Sequence, residues 1–270
     1  MRAALLACLL AADADATRGE SLGVAARTRT PVLAEPVLDL ALADDERIVA
    51  LSPAAVSLYR WASDGLALEA RLPLPGGALP VRTPGGLLSG IDETGAFWAL
   101  ASTSPGATLY RVEGRRLTEI AQADALPWPG SPEGLRFRAG TNLLQARIAS
   151  LGPGPYLTVE PGYAVDADGR LRTAPLETSD GAPRVGPTLA ALGPSLLAAS
   201  RPDPPGVSDE ILLLAEGEAG WAVQQALPVE GAVRALAARP RHGHWRLVAA
   251  VEEPGGSTHL IILDLAPEAP

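Results

Sequence analysis

Two aspartates in the sequence Asp166-Ala167-Asp168-Gly169 are spaced like oxygen ligands of a hard cation. Calcium takes about six to eight oxygen ligands, so two carboxylates on one turn are too few to hold it by themselves. Asp-Gly also tolerates the positive φ and the local hydrogen bonds of a hairpin turn. The sequence therefore favours a turn at Asp166 and Asp168, with a calcium site as the alternative, and we expect no other cofactor.

Three histidines lie in the C-terminal part of the chain, and imidazole is a common zinc ligand. His242 and His244 are two residues apart, a spacing that points both side chains to one face of a strand. Zinc requires three or four ligands, and the other histidine in this region is His259. The glycine between His242 and His244 favours a solvated loop over a zinc site.

The sequence contains no motif for nucleophilic catalysis or phosphate handling. It has no Gly-x-Ser-x-Gly elbow and no glycine-rich phosphate loop of the Walker or dinucleotide-binding type. A pair of carboxylates that hydrolyses a glycosidic bond stays open, because a fold with a central funnel could bring together Asp39, Asp92 and Glu160. We therefore predict a protein without catalytic activity, and the alternative is a hydrolase that acts on a sugar or a lactone.

The segment Pro-Trp-Pro-Gly-Ser-Pro-Glu-Gly-Leu-Arg-Phe-Arg-Ala-Gly-Thr-Asn at 127–142 is irregular and rich in proline and glycine. Long connections in compact folds often carry binding residues. Tryptophan and arginine are enriched at binding hot spots, so Trp128, Arg136 and Arg138 are the candidate contacts for a partner or an anionic group. The alternative is a structural connection in which Phe137 enters the core and both arginines are solvated.

A repeat of about fifty residues supplies the elements that position these side chains. Leu58-Tyr59-Arg60 recurs as Leu109-Tyr110-Arg111, 51 residues later, and a glycine turn, a strand and Leu-Pro follow each copy. Tyr163 precedes Asp168-Gly169 by the same interval that separates Tyr59 from Asp64-Gly65. Alternating apolar segments around such turns indicate hairpins. We expect the repeated tyrosines to pack between units.

Two further strand candidates precede each hairpin, and four short strands per unit are the layout of a β-propeller blade. Five units of about 47 residues fill the chain from Pro36 to Pro270, but the fifth lacks its outer strand. The segment 23–33 could complete that unit and remove its open edge. The sequence thus predicts an all-β, five-bladed β-propeller of four antiparallel strands per blade, closed by an N-terminal strand. The alternatives are an incomplete or seven-bladed ring and two tandem β-sandwiches.

These units resemble the β-propeller repeats of bacterial exported proteins, including the FG-GAP and VCBS type. The resemblance covers most of residues 36–270 and implies a calcium loop of the form Asp-x-Asp-x-Asp-Gly in each blade. Only the stretch from Asp166 to Gly169 approaches that form. Asp64-Gly65 is a fragment of it, and Asp92 with Glu93 lacks the spacing. We therefore do not expect calcium in every blade.

The first sixteen residues have the layout of a secretory signal peptide. Arg2 is followed by a short apolar run and an Ala-x-Ala exit that ends at Ala16. Leu5-Leu6-Ala7-Cys8 also resembles a bacterial lipobox, in which Cys8 would carry a lipid anchor. We predict a signal peptide at 1–16, a single domain at 17–270, and an exported protein that is periplasmic, associated with the outer membrane, or extracellular. The alternative is an N-terminal helix that is retained.

Composition limits the classes of partner. The net charge is −9 and all 22 basic residues are arginine, which argues against the clustered cations that nucleic acid binding requires. Cys8 is the single cysteine, so the body of the protein can hold no internal disulfide. No apolar run reaches the roughly eighteen residues of a transmembrane helix. The resulting hypothesis is an exported binding or scaffold module at the bacterial cell envelope, with a protein or glycan partner.

Overall fold

The computed structural model describes residues 22–63, 65–74, 87–91, 97–102, 107–123, 136–138, 158–159, 163–165, 171–173, 183–186, 188–193, 196–201, 208–217 and 220–267. None of these segments forms an apolar helix of membrane-spanning length. The strands are β1 (Leu22–Arg29), β2 (Asp39–Leu42), β3 (Arg47–Leu51), β4 (Ala55–Ala62), β5 (Gly65–Pro73), β6 (Leu87–Ile91), β7 (Phe97–Ser102), β8 (Ala107–Glu113), β9 (Arg116–Ala123), β10 (Arg136–Arg138), β11 (Thr158–Val159), β12 (Tyr163–Val165), β13 (Leu171–Thr173), β14 (Arg184–Val185), β15 (Leu189–Ala191), β16 (Leu196–Ser200), β17 (Ser208–Gly217), β18 (Gly220–Glu230), β19 (Ala232–Arg241), β20 (His244–Glu252) and β21 (Thr258–Pro267).

Four antiparallel sheets have the strand order of propeller blades. The first blade is β2-β3-β4-β5, and the second is β6-β7-β8-β9 with β10 added beside β6. The penultimate blade is β15-β16-β17-β18, and the last blade is β19-β20-β21-β1. Between the second and penultimate blades, β11 pairs with β14 in parallel and β12 pairs with β13 antiparallel. The protein is an all-β propeller, as the repeat predicts.

The first strand of each of these blades lies on the inner side of the ring. β15 contacts β19, β19 contacts β2, and β2 contacts β6. The fourth strands β5 and β1 carry many exposed or half-exposed residues instead. The penultimate, last, first and second blades therefore follow one another around the axis in this order.

An N-terminal strand completes the last blade. β1 pairs antiparallel with β21 from Leu22 opposite Pro267 to Arg29 opposite Ile261. Leu33 then forms a bridge with Thr258. The predicted closing strand at 23–33 is confirmed, with the regular pairing confined to Leu22–Arg29. Closure in this way covers an edge that would otherwise expose unpaired backbone groups.

Alternating apolar side chains of the first blade pack against the neighbouring blade on each face. On β3, Ile48 and Ala50 belong to the apolar core shared with the last blade, whereas Val49 and Leu51 belong to the core shared with the second blade. Successive residues of a strand point to opposite faces, so one short apolar run fills two interfaces. Burial of a leucine or valine contributes about 1.5–3 kcal/mol. Packing between blades therefore supplies the stability that disulfides supply in smaller exported domains.

Each outer strand of the four blades contains a one-residue bulge at the same position. In the first blade the extra residue is Glu69, which lies between the pairs Leu58–Ala70 and Tyr59–Leu68. The extra residues of the second, penultimate and last blades are Ile120, Gln224 and Ala25. A bulge shifts the alternation of side chains from one face of the strand to the other.

The bulge changes which neighbour the outer strand of the first blade contacts. Before the bulge, Leu66 packs on the core shared with the last blade. After it, Ala70 and Leu72 pack on the core shared with the second blade. One outer strand thus seals both interfaces of its blade.

The positions of the bulges give the length of the repeat. On the third strands, Leu58 and Leu109 mark equivalent positions 51 residues apart, and so do Leu213 and Asp264. The interval from Leu109 to Leu213 is 104 residues, which is two periods. The number of blades stays a prediction, and this interval has the length that a five-bladed ring requires.

Candidate functional site

The irregular segment at 127–142 contributes a strand to the second blade. In β10, Arg136 pairs with Ile91 and Arg138 pairs with Ser89 of β6. Because β6 is the first strand of its blade, β10 lies at the edge of the sheet nearest the axis. Trp128 lies outside the described residues. The backbone of two of the three candidate binding residues is therefore at the inner edge of the ring.

The candidate calcium ligands Asp166 and Asp168 lie outside the described residues. The strands on either side of them, β12 and β13, pair antiparallel and end with Val165 opposite Leu171. This pairing is the hairpin that the third copy of the repeat predicts. Within the described segments, no three His, Cys, Asp or Glu side chains are grouped to hold a metal ion. Calcium at this turn stays a prediction.

The three histidines do not share a site. His242 and Gly243 form the two-residue turn between β19 and β20, with φ of 40° and 80°, as a type I′ hairpin requires. His244 is exposed, while His259 is buried and lies opposite Val251. His244 and Val251 are seven positions apart on β20, about 23 Å along a strand. The structure thus supports the loop interpretation for His242, whereas His244 is the first residue of β20 and pairs with Arg241.

The acidic residues nominated for hydrolysis are described only in part. Asp39 is buried at the start of β2, where its Oδ1 accepts a hydrogen bond of 2.8 Å from the Leu40 backbone N–H. Asp92 and Glu160 lie outside the described residues. The hydrolase alternative therefore stays a hypothesis.

The repeated tyrosines pack between blades. Tyr110 is fully buried in the core between the first and second blades. Tyr59 is half-buried against the core between the last and first blades, and burial raises the pKa of its phenol. Each tyrosine thus faces the preceding blade, as expected of a structural repeat. Tyr163 lies on β12.

A first charged cluster, which the sequence motifs do not indicate, surrounds Glu69. The Glu69 side chain is only 1% exposed. Its Oε2 accepts a 3.1 Å hydrogen bond from Nε of Arg47, and its Oε1 lies 3.5 Å from Nε of Arg60 and 3.1 Å from Nε of Arg115. We call these four residues the Glu69 cluster. Arg115 belongs to the β8–β9 turn, so the cluster joins the first blade to the second.

Strand register explains the Glu69 cluster. Arg47 and Arg60 are opposite each other on β3 and β4, and like charges in that position repel. The bulge at Glu69 brings a carboxylate between them. Arg47 also donates a 2.7 Å hydrogen bond to Asp44, which raises the pKa of Arg47. The Leu-Tyr-Arg repeat contributes Arg60 to this cluster, but Arg111 in the second copy pairs with Glu113 instead, so the repeat does not predict the cluster.

A second cluster, the Asp264 row, joins the last blade to the first. Arg246 is buried and donates to both oxygens of Asp264, at 2.9 and 3.0 Å. This bidentate contact lowers the pKa of Asp264. Arg239 lies opposite Arg246 in the sheet and is 3.8 Å from Asp45 of the β2–β3 loop. The two neighbouring arginines thus each have a carboxylate partner, Asp264 for Arg246 and Asp45 for Arg239.

A third cluster, the closing cluster, lies where β1 completes the ring. Arg29 of β1 pairs with Glu253 and lies 3.7 Å from Glu230 of the penultimate blade. The hydrogen bond from Ser257, and after it that from Arg29, lowers the pKa of Glu253. Nδ1 of His259 lies 3.3 Å from Glu253 without hydrogen-bond geometry. Burial lowers the pKa of His259, and the charge of Arg29 adds to this effect while Glu253 opposes it.

Comparisons with known proteins do not assign the chain to a family. No protein-family model matches the chain, and no curated protein matches it. It is similar to the WD40 repeats of RRP9, with 13% identity over 90% of this chain and 100% of that one, at a TM-score of 0.40. It is also similar to U3-55K, with 13% identity, coverage of 91% and 100%, and a TM-score of 0.41. A third similar structure is the WD40 β-propeller domain of Doa1, with 9% identity, coverage of 92% and 98%, and a TM-score of 0.37. These likenesses concern the fold alone.

Proposed function

We propose that this protein is a non-enzymatic binding or scaffold module that is exported to the bacterial cell envelope. Loops at the mouth of the propeller would engage a protein or glycan partner, with Trp128, Arg136 and Arg138 as contacts. The observation that carries the proposal is the position of β10 at the inner edge of the second blade.

The rigidity of the surrounding blades supports a binding role. β2, the first strand of the first blade, is packed on both faces by apolar cores, and it contacts β6, the strand that pairs with β10. A binding surface that is already ordered loses little conformational entropy when it binds. Tryptophan and arginine, the residue types of the three candidate contacts, are enriched at binding hot spots.

Site-specific photocrosslinking in the full chain tests the binding site. A benzophenone amino acid replaces Trp128 or Arg138 in cells of a Gram-negative host, and we expect one discrete adduct from each position. Matched controls carry the same group at Leu68 and Val223, which are exposed on outer strands. Equal labelling from the controls, or no adduct from either test position together with no signal on a glycan array, would contradict the proposal. Turnover of chromogenic glycosides or lactones would instead favour the hydrolase.

Export is tested separately by the mass of the mature protein from the same host. An N-terminus near Thr17 supports cleavage of a signal peptide, and a lipid-modified Cys8 supports lipoprotein processing. A chain that retains Met1 would contradict export. This outcome does not depend on the crosslinking result.

A further inference from the structure

The three arginines of the Glu69 cluster use only part of their hydrogen-bonding capacity on Glu69. Each one approaches the carboxylate through Nε. Nη1 of Arg47 donates a hydrogen bond to Asp44. The terminal amines of Arg60 and Arg115 have no acceptor among the described residues. Two guanidinium groups therefore retain donors that can bind another anion.

The cluster also carries an excess of positive charge. Arg47, Arg60 and Arg115 supply three positive charges, whereas Glu69 and Asp44 supply two negative charges. Glu69 Oε1 is buried and receives no aligned hydrogen bond, although two arginines lie within 3.5 Å of it. The arginines thus surround Glu69, but Glu69 does not accept hydrogen bonds from all of their N–H groups. One additional carboxylate would balance the charge.

The position of the cluster suits a ligand site. Arg115 is at the tip of the β8–β9 turn and its side chain is 78% exposed, while that of Arg60 is 38% exposed. The two residues come from adjacent blades, and Nε of each lies within 3.5 Å of the same oxygen of Glu69. Arginine binds carboxylates through paired N–H donors in a fixed geometry.

We propose that Arg60 of the first blade and Arg115 of the second blade, which Glu69 holds in position, bind a carboxylate of an acidic peptide. The side chain of Glu69 supplies the fixed negative charge that keeps two mutually repelling guanidinium groups together. A ligand carboxylate then accepts hydrogen bonds from their terminal amines. None of these residues belongs to the 127–142 segment, so the inference goes beyond the binding function proposed above.

Fluorescence anisotropy with a labelled Gly-Glu-Glu-Glu-Gly peptide tests the site in the full chain. We expect the wild-type protein to bind this peptide and to bind a Gly-Gln-Gln-Gln-Gly peptide far more weakly. Arg115→Gln and Arg60→Gln should each weaken binding about tenfold, because a charged hydrogen-bonded contact is lost. Arg115→Lys should recover only part of the affinity, since lysine keeps the charge and loses the paired donors.

Arg201→Gln is the matched control, because Arg201 is half-exposed and is paired with Glu210 of the penultimate blade. An equal loss of binding in Arg201→Gln would show general charge attraction and overturn the proposal. So would equal binding of the two peptides by the wild-type protein, or no binding of the glutamate peptide. Circular dichroism melts of each variant separate loss of fold from loss of the site. Loss of the Trp128 adduct would leave these results unchanged, so the two proposals fail independently.

Discussion

The His259 imidazole is 1% exposed and belongs to the cluster that holds the closing strand. It was grouped with the other histidines by sequence proximity, and its burial follows from strand pairing that spacing alone does not reveal. The neutral form is favoured, because burial and Arg29 both oppose a positive charge at this position. Protonation of His259 therefore destabilises the folded protein at the closing cluster.

Lowering the pH should destabilise the folded protein, because protons bind more tightly to His259 in the unfolded chain. The unfolded histidine titrates near 6.5 and the folded one below that value, so between these pKa values the unfolded chain binds the proton and the folded chain does not. The free energy of unfolding should fall as the pH drops below about 6.5, by less than the roughly 1.4 kcal/mol per pH unit that one proton gives. Urea titrations between pH 7.5 and 5.5 measure this slope.

His259→Gln should flatten the slope, and His244→Gln, at an exposed position, should leave it as in the wild type. Carboxylates with lowered pKa, such as Glu253 and Asp264, also favour the folded state at higher pH. Their contribution is lost only as the pH falls below the ordinary carboxylate range, beneath this window. An unchanged slope in His259→Gln would contradict the assignment.

At the scale of elements, the Asp264 row should stabilise the packing of the last blade on the first. Arg246→Met leaves Asp264 without its bidentate partner, and we expect a loss of about 1–3 kcal/mol in the free energy of unfolding. Arg116→Met, at an exposed position of β9, should cost less than about 0.5 kcal/mol. Chemical denaturation of both variants checks the difference.

A double variant makes this prediction sharper. Arg246→Met with Asp264→Leu removes both charges, and it should recover part of the loss because no unpaired carboxylate remains. Additive effects of the two substitutions would show that the pair is not coupled.

The strands themselves were predictable, because alternating apolar residues and glycine turns recur with the period of the blades. The outer-strand bulges were not. In β5, Leu66, Leu68, Ala70 and Leu72 alternate without interruption, a pattern that predicts one continuous apolar face. The bulge at Glu69 divides that face between two neighbouring blades. The Glu69 cluster depends on this bulge, which is why residue types and spacing did not indicate it.

At the scale of the whole molecule, ring closure should depend on β1 and not on the residues before it. A chain of residues 17–270 should melt within about 2 °C of the full chain, whereas a chain of residues 30–270 should melt about 10 °C lower and aggregate. The reason is that removal of β1 exposes the edge of β21 and the core around Leu22. Thermal melts followed by circular dichroism and light scattering measure both effects.

A synthetic peptide of residues 20–31 provides the control for this truncation. Added to residues 30–270, it should restore much of the melting temperature, because it can pair with β21 as β1 does. A peptide with Leu22 and Val24 replaced by Asp should not. Identical melting of the two truncated chains would show that β1 contributes nothing to closure.

The pairing of Leu22 with Pro267 places the two ends of the described chain side by side on one outer strand pair. A linker of a few residues would therefore join these ends without crossing the ring. New ends could then be opened at the exposed His242-Gly243 turn, where two residues connect adjacent strands. The propeller is in this sense suited to circular permutation, with the order of its blades in space kept and their order along the chain changed.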